Sequence, residues 1–226
     1  MMKTNKKATQ KKANNITEMV FILDRSGSMS GLESDTIGGF NSLIEKQKKE
    51  EAGKCFVSTV LFSDTMQTVH DRVALENIEK MTEEDYIPMG CTALYDAIGN
   101  TVAHITNIHR YIRKEDVPAN TVFVIITDGY ENASREYTHK KVKELVENKK
   151  HKEGWEFMFI GANIDAAATA ETIGIGRNMA ANYCADERGT GVVFEALAAP
   201  LAACRASKKV DANWSAEIEA DLKSRK

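Results

Sequence analysis

The chain has 226 residues, 42% hydrophobic and 28% charged, with a formal net charge of −3. These figures favour one large domain, or a domain with a tail, over two full domains, and supply enough apolar material for a sizeable core. The charge is uneven: residues 1–15 hold Lys3, Lys6, Lys7, Lys11 and Lys12 and no acid, which leaves −8 for the rest.

No aromatic residue accompanies those lysines, so residues 1–15 are expected to be a solvated, disordered leader with no nucleic-acid or membrane partner. No apolar segment follows them, and a secretory signal is not expected. The apolar region 191–204 is interrupted by Glu195 and Pro200 and is not expected to span a bilayer. Cys55, Cys91, Cys184 and Cys204 lie far apart with no CxxC pair, the usage of reduced thiols in a cytoplasmic protein.

In chain order, Met19-Val20-Phe21-Ile22-Leu23 is the apolar core of a strand over 18–24, buried on both faces. It ends in Asp24-Arg25-Ser26-Gly27-Ser28, and a helix over 31–50 follows, with Leu32, Ile37, Phe40 and Ile44 near one face. Gly38-Gly39 inside that helix implies close packing against the sheet. Residues 54–62 form a second strand, Ser63-Asp64-Thr65 a tight turn, and 66–73 an antiparallel edge strand. A brief helix near 75–80 leads to the loop 86–92, and Leu94, Ile98, Val102 and Ile105 mark a helix from Ala93 to Tyr111.

Thr121 to Thr127 is a strongly apolar strand that stops at Asp128-Gly129. A polar helix over 138–150, a strand over 155–160, a helix over 165–173 and a strand over 178–183 follow. A helix over 190–206 is expected to kink at Pro200. Beyond it, 207–226 is a charged tail or short helix, in which Trp214, Ile218 and Leu222 fall at helical spacing. Alternating strands and helices predict an α/β fold, a mostly parallel, doubly wound sheet covered on both faces, over residues 16–206.

Two of these strands end in acids, Asp24 and Asp128, and in such a sheet their ends share one rim. With Ser26, Ser28 and Thr92 they form an all-oxygen set suited to Mg²⁺, with Mn²⁺ or Ca²⁺ as alternatives. Taken singly, each has a plainer use: Asp24, Ser26, Ser28 and Thr92 as helix caps, Asp128-Gly129 as a turn. It is the ordered set on two buried strands that points to metal. Asp64, Asp96, Glu131 and Asp165 are read as solvated or capping acids. His104 and His109 do not share a helix face and are poor metal partners, and His70, His139 and His151 are isolated polar positions.

Asp24-Arg25-Ser26-Gly27-Ser28, Gly90-Cys91-Thr92-Ala93-Leu94 and Thr127-Asp128-Gly129 resemble the metal-ion-dependent adhesion site of the von Willebrand factor A (vWA) domain. The resemblance is strongest to the small stand-alone vWA proteins of bacteria. It implies a Rossmann-like sheet of about six strands, order 3-2-1-4-5-6, with strand 3 antiparallel. It also implies metal ligation by Asp24, Ser26, Ser28, Thr92 and Asp128. With only two charged ligands the ion keeps Lewis acidity, and an open position accepts an Asp or Glu of a protein partner. Arg25, Met29 and Tyr130 are expected to border it, and Asp24 and Asp128 to lie on the rim outside the core.

Two enzymatic alternatives fare worse: a metal-dependent phosphohydrolase stays as the runner-up, and a serine hydrolase is rejected. A phosphohydrolase of the haloacid dehalogenase type also begins with an apolar strand ending in Asp, but needs a second acid at position 26, where Ser26 stands. A serine hydrolase would need serine at the centre of Gly27–Gly31, where Met29 stands, and no histidine follows His151. The sequence therefore predicts a binding module, not an enzyme, and is silent on its partner and oligomeric state.

Overall fold

The computed structural model describes residues 14–225. The leader expected over 1–15 lies, but for its last two residues, outside the described residues. A six-stranded sheet runs in the order β3-β2-β1-β4-β5-β6. Its strands are β1 (Thr17–Asp24), β2 (Cys55–Phe62), β3 (Met66–Ala74), β4 (Asn120–Thr127), β5 (Glu156–Ala162) and β6 (Ala180–Tyr183). Only the β2–β3 pair is antiparallel. This is the doubly wound, Rossmann-like order that the resemblance implies.

The central strand β1 is buried along its whole length because both faces are covered. Met19, Phe21 and Leu23 pack with α1 (Glu33–Lys49), α5 (Glu187–Ala196) and α6 (Ala198–Arg205). Val20 and Ile22 pack on the other face with α2 (Leu94–Tyr111), α3 (His139–Glu153) and α4 (Ala166–Thr172). Each fully buried side chain of this kind contributes roughly 1.5–3 kcal/mol. β1 and β4 pair in parallel with Leu23 opposite Ile126, so Asp24 and Thr127 end side by side on one rim.

At its other end β1 buries Glu18, whose Oε2 lies 2.6 Å from His109 Nε2 and 3.5 Å from Arg72 Nε. His109 is therefore a buried partner of a carboxylate, a role its spacing from His104 gave no hint of. His70 is also buried, in contrast to the isolated polar position expected.

Three local expectations are corrected. The helix near 75–80 is a single 3-10 turn, Leu75–Asn77. Gly39 faces α5, not the sheet: a Cβ there would meet Phe194 at 2.3 Å, whereas Gly38 faces open space. The helix over 190–206 is two helices, α5 and α6, meeting at Leu197. In one continuous helix the Pro200 ring would collide with the Ala196 carbonyl, and Ala196 is where α5 stops. Past α6 the chain turns into α7 (Ala216–Lys223), which buries Ile218 and packs on α5 and β6. Among the described residues no helix is long and apolar enough to cross a membrane.

Candidate metal centre

Asp24, the last residue of β1, is buried and held from both sides. Its Oδ1 accepts the Ser26 N–H at 2.7 Å, and its Oδ2 accepts the Thr127 hydroxyl at 2.6 Å. The first bond curls the loop into the 3-10 turn Gly27–Met29, and the second ties the ends of β1 and β4 together. Below, the hydroxyl of buried Tyr86 donates to the Asp24 carbonyl.

The hydroxyls continue the chain. Ser26 Oγ and Ser28 Oγ are 3.2 Å apart, and Ser28 Oγ donates to Asp128 Oδ1 at 2.8 Å. Asp24, Ser26 and Asp128 are buried, while Ser28 is exposed. Four of the five residues singled out in the sequence thus form one hydrogen-bonded group spanning the β1 and β4 loops.

Thr92 comes to the same rim through its backbone. Met89 N–H donates to Arg25 O at 2.8 Å, Gly27 N–H to Gly90 O at 3.1 Å, and Ala93 N–H to Ser63 O at 2.9 Å. Gly90 has φ +68°, and a Cβ on it would fall 2.1 Å from Asp64 Oδ1, so the loop needs glycine there. The Thr92 N–H donates to Asn132 Oδ1 at 2.8 Å, and Asn132 N–H returns to Thr92 O at 3.0 Å.

Burial pushes the Asp24 carboxyl above its usual range, hydrogen bonds from Thr127 and Ser26 pull it back, and the charge of Asp128 adds to the rise. Burial raises Asp128 as well, opposed by the bond from Ser28. Among the described residues neither acid takes part in a salt bridge. Two buried carboxylates side by side, without a basic partner and bordered by hydroxyls, fit a hard divalent cation. Among the described residues no group of three or more His, Cys, Asp or Glu gathers as a metal cage, so the fit rests on the hydroxyls as much as on the acids.

Asp24 and Asp128 both stand at the rim, as expected, but both are buried, which corrects the expectation that they lie outside the core. Met29 and Arg25 do not border the site's surface: both are buried, and Arg25 Nη1 bonds Gln67 Oε1 at 2.8 Å. Tyr130 is exposed as expected.

The acids read as caps do hold backbone. Asp165 accepts the Ala168 N–H at 2.9 Å, at the start of α4. Glu131 accepts N–H groups of Tyr95, Ala133 and Ser134 at 2.9, 2.9 and 2.7 Å. Asp96 accepts those of Arg135, Glu136 and Tyr137 at 2.8, 3.0 and 2.8 Å. Together they clamp the loop after β4 onto the first turn of α2. Asn132 and Tyr86 escaped the sequence reasoning, because a lone amide and a lone phenol in loops carry no pattern.

The family model of the von Willebrand factor type A domain matches residues 18–190. The chain belongs to that family. Solved structures share its fold at low identity. Proximal thread matrix protein 1 of the mussel byssus aligns with a TM-score of 0.57 and 16% identity, over 81% of this chain and 45% of that one. The same protein with a zinc-occupied MIDAS motif, the metal-ion-dependent adhesion site, gives 0.53 and 14%, over 80% and 44%. Manganese-loaded TRAP protein of Plasmodium vivax gives 0.53 and 18%, over 80% and 74%. The chain thus spans less than half the length of the mussel protein. Comparison with curated protein sequences gives no match.

Proposed function

We propose that this vWA domain is a metal-dependent protein-docking module. Asp24, Ser26, Ser28, Thr92 and Asp128 would hold Mg²⁺, and a carboxylate from an Asp or Glu of a partner protein would complete its coordination. The observation that carries this is the Ser28 Oγ–Asp128 Oδ1 bond of 2.8 Å, with Ser26 Oγ 3.2 Å behind it. It brings oxygen donors from two separate loops to one point beside a buried, unpaired carboxylate. The manganese and zinc forms of two proteins that share the fold support a divalent ion at the corresponding rim. Oxygen-only donors favour Mg²⁺ over softer ions. A bound Mg²⁺ supplies Lewis acidity for capturing an anion.

The chain's own groups do the positioning. Thr127 and the Ser26 amide fix both oxygens of Asp24, so neither rotates freely when an ion or anion approaches. The phosphohydrolase alternative lacks its second acid: position 26 is a serine whose amide points back to Asp24.

The test is calorimetric titration of Mg²⁺ into the full chain and into Asp24→Ala and Asp128→Ala, each checked for folding by circular dichroism. Binding should be modest in the parent and lost in both variants. Undiminished binding in both would end the assignment.

A further inference from the structure

We propose that the rim around the metal centre receives a protein loop bearing a single carboxylate between apolar side chains, with no second acid nearby and basic residues further out. The inference rests on the metal-docking function above and names the partner chemistry that the surface selects.

Among the described residues, five large apolar side chains stay exposed: Met66 (38%), Ile87 (49%), Met89 (47%), Tyr111 (79%) and Tyr130 (66%). Tyr111 ends α2, away from the site. The other four sit around the centre. Met89 is bonded through its amide to Arg25 O, next to Ser26. Ile87 lies two residues before it, beyond Tyr86, whose hydroxyl reaches the Asp24 carbonyl. Tyr130 follows Asp128 by two residues, and Met66 stands opposite Phe62, which pairs with Asp24 across the sheet. Scattered exposed apolar residues are ordinary, but four of them on the loops that border one polar centre mark an interaction surface. Met and Tyr are also side chains enriched in the buried centres of protein interfaces.

Charge narrows the occupant. The loops 25–32, 63–65, 83–93, 128–137 and 163–165 hold eight acids and two arginines. One of those arginines, Arg25, is buried against Gln67. Such a rim repels carboxylates in general and tolerates the one that a metal neutralises. A partner with acids in a run is excluded by repulsion. One with a lone Asp or Glu, flanked by apolar residues that cover Ile87, Met89 and Tyr130, is complementary in both charge and character.

The test selects disulfide-constrained peptides displayed on phage against the full chain in Mg²⁺ and releases them with EDTA. The released clones should carry one Asp or Glu beside Leu, Ile, Phe or Met, with Lys or Arg outside. A variant combining Ile87→Ser, Met89→Ser and Tyr130→Ser should bind them about tenfold or more weakly while its calorimetric Mg²⁺ affinity stays unchanged. Released clones with an acid but no apolar or basic enrichment, bound equally by the variant, would overturn the apolar contacts and leave the metal-docking function standing. A selection that yields no EDTA-released clone bearing an acid would overturn both.

Discussion

Asn132 exchanges two hydrogen bonds with Thr92: its Oδ1 accepts the Thr92 N–H at 2.8 Å, and its N–H donates to the Thr92 carbonyl at 3.0 Å. The loop after β4 thereby sets where the α2 start places its hydroxyl, so Asn132 is a positioning residue for the proposed metal site. Asn132→Ala should weaken Mg²⁺ binding by roughly 10–100-fold, the usual effect of removing a supporting partner. Stability should fall by only about 0.5–1.5 kcal/mol, since Asn132 itself is exposed. Asn132→Asp keeps the acceptor and should retain most of the affinity. An unchanged dissociation constant in Asn132→Ala would show that Thr92 does not depend on this pair.

Metal binding should appear as stability. A ligand bound only by the folded chain at a hundred times its dissociation constant adds about 2.7 kcal/mol, or roughly 5–10 °C in melting temperature for a domain of this size. Asp128→Ala should melt at the same temperature with and without Mg²⁺. It is a cleaner control than Asp24→Ala, which leaves the Ser26 amide and the Thr127 hydroxyl without their acceptor. A scanning-calorimetry trace of the parent that does not move with Mg²⁺ would count against binding in the folded state.

The sequence made the sheet legible because β1 and β4 are continuous apolar runs, and such runs have few places to go except a strand covered on both faces. The gathering of Asp24, Ser26, Ser28 and Asp128 was legible for a related reason: parallel neighbours end on one rim, so motifs at strand ends meet whatever the intervening helices do. What stayed hidden depends on tertiary contact. The Glu18–His109 pair joins residues 91 apart in sequence. Gly39 was read as facing the sheet because a glycine pair signals close approach without saying to what, and the answer is Phe194. Met89 and Ile87 matter for being exposed, and periodicity in a loop does not report exposure.

His70 gives the domain an expected pH dependence. Its Nδ1 lies 3.1 Å from Thr59 Oγ1 and its Nε2 3.2 Å from Glu79 O, and its ring stacks on Phe40. A carbonyl accepts only, so Nε2 carries the proton and Nδ1 accepts from Thr59. Burial lowers the pKa of His70, outweighing the Glu79 carbonyl and the charges of Asp85 and Glu79, which raise it. The folded chain therefore binds this proton less readily than the unfolded chain. The stability His70 supports is complete above the ordinary histidine pKa near 6.5 and declines as pH falls below it. Urea midpoints at pH 7.5 and 5.5 should differ more in the parent than in His70→Gln. Equal differences would place the pH response elsewhere.

The last prediction concerns the segment after α6. Trp214 is 7% exposed and Ile218 1%, and Trp214 Nε1 donates to the Asn178 carbonyl at 2.9 Å, just before β6. Asp221, buried on the same helix, takes Arg188 at 2.8 Å and Arg225 at 2.7 Å. These contacts attach α7 to the outer edge of the sheet and to α5, so Trp214 and α7 are expected to stabilise the sheet they pack on. Trp214→Ala removes a large buried ring and its hydrogen bond together, and should lower stability by about 3–5 kcal/mol. Lys223→Ala, on the exposed face of α7, should stay within about 0.5 kcal/mol of the parent. Urea unfolding followed by far-ultraviolet circular dichroism separates the two. If Trp214→Ala unfolds at the parent's midpoint, α7 is not part of the cooperative unit.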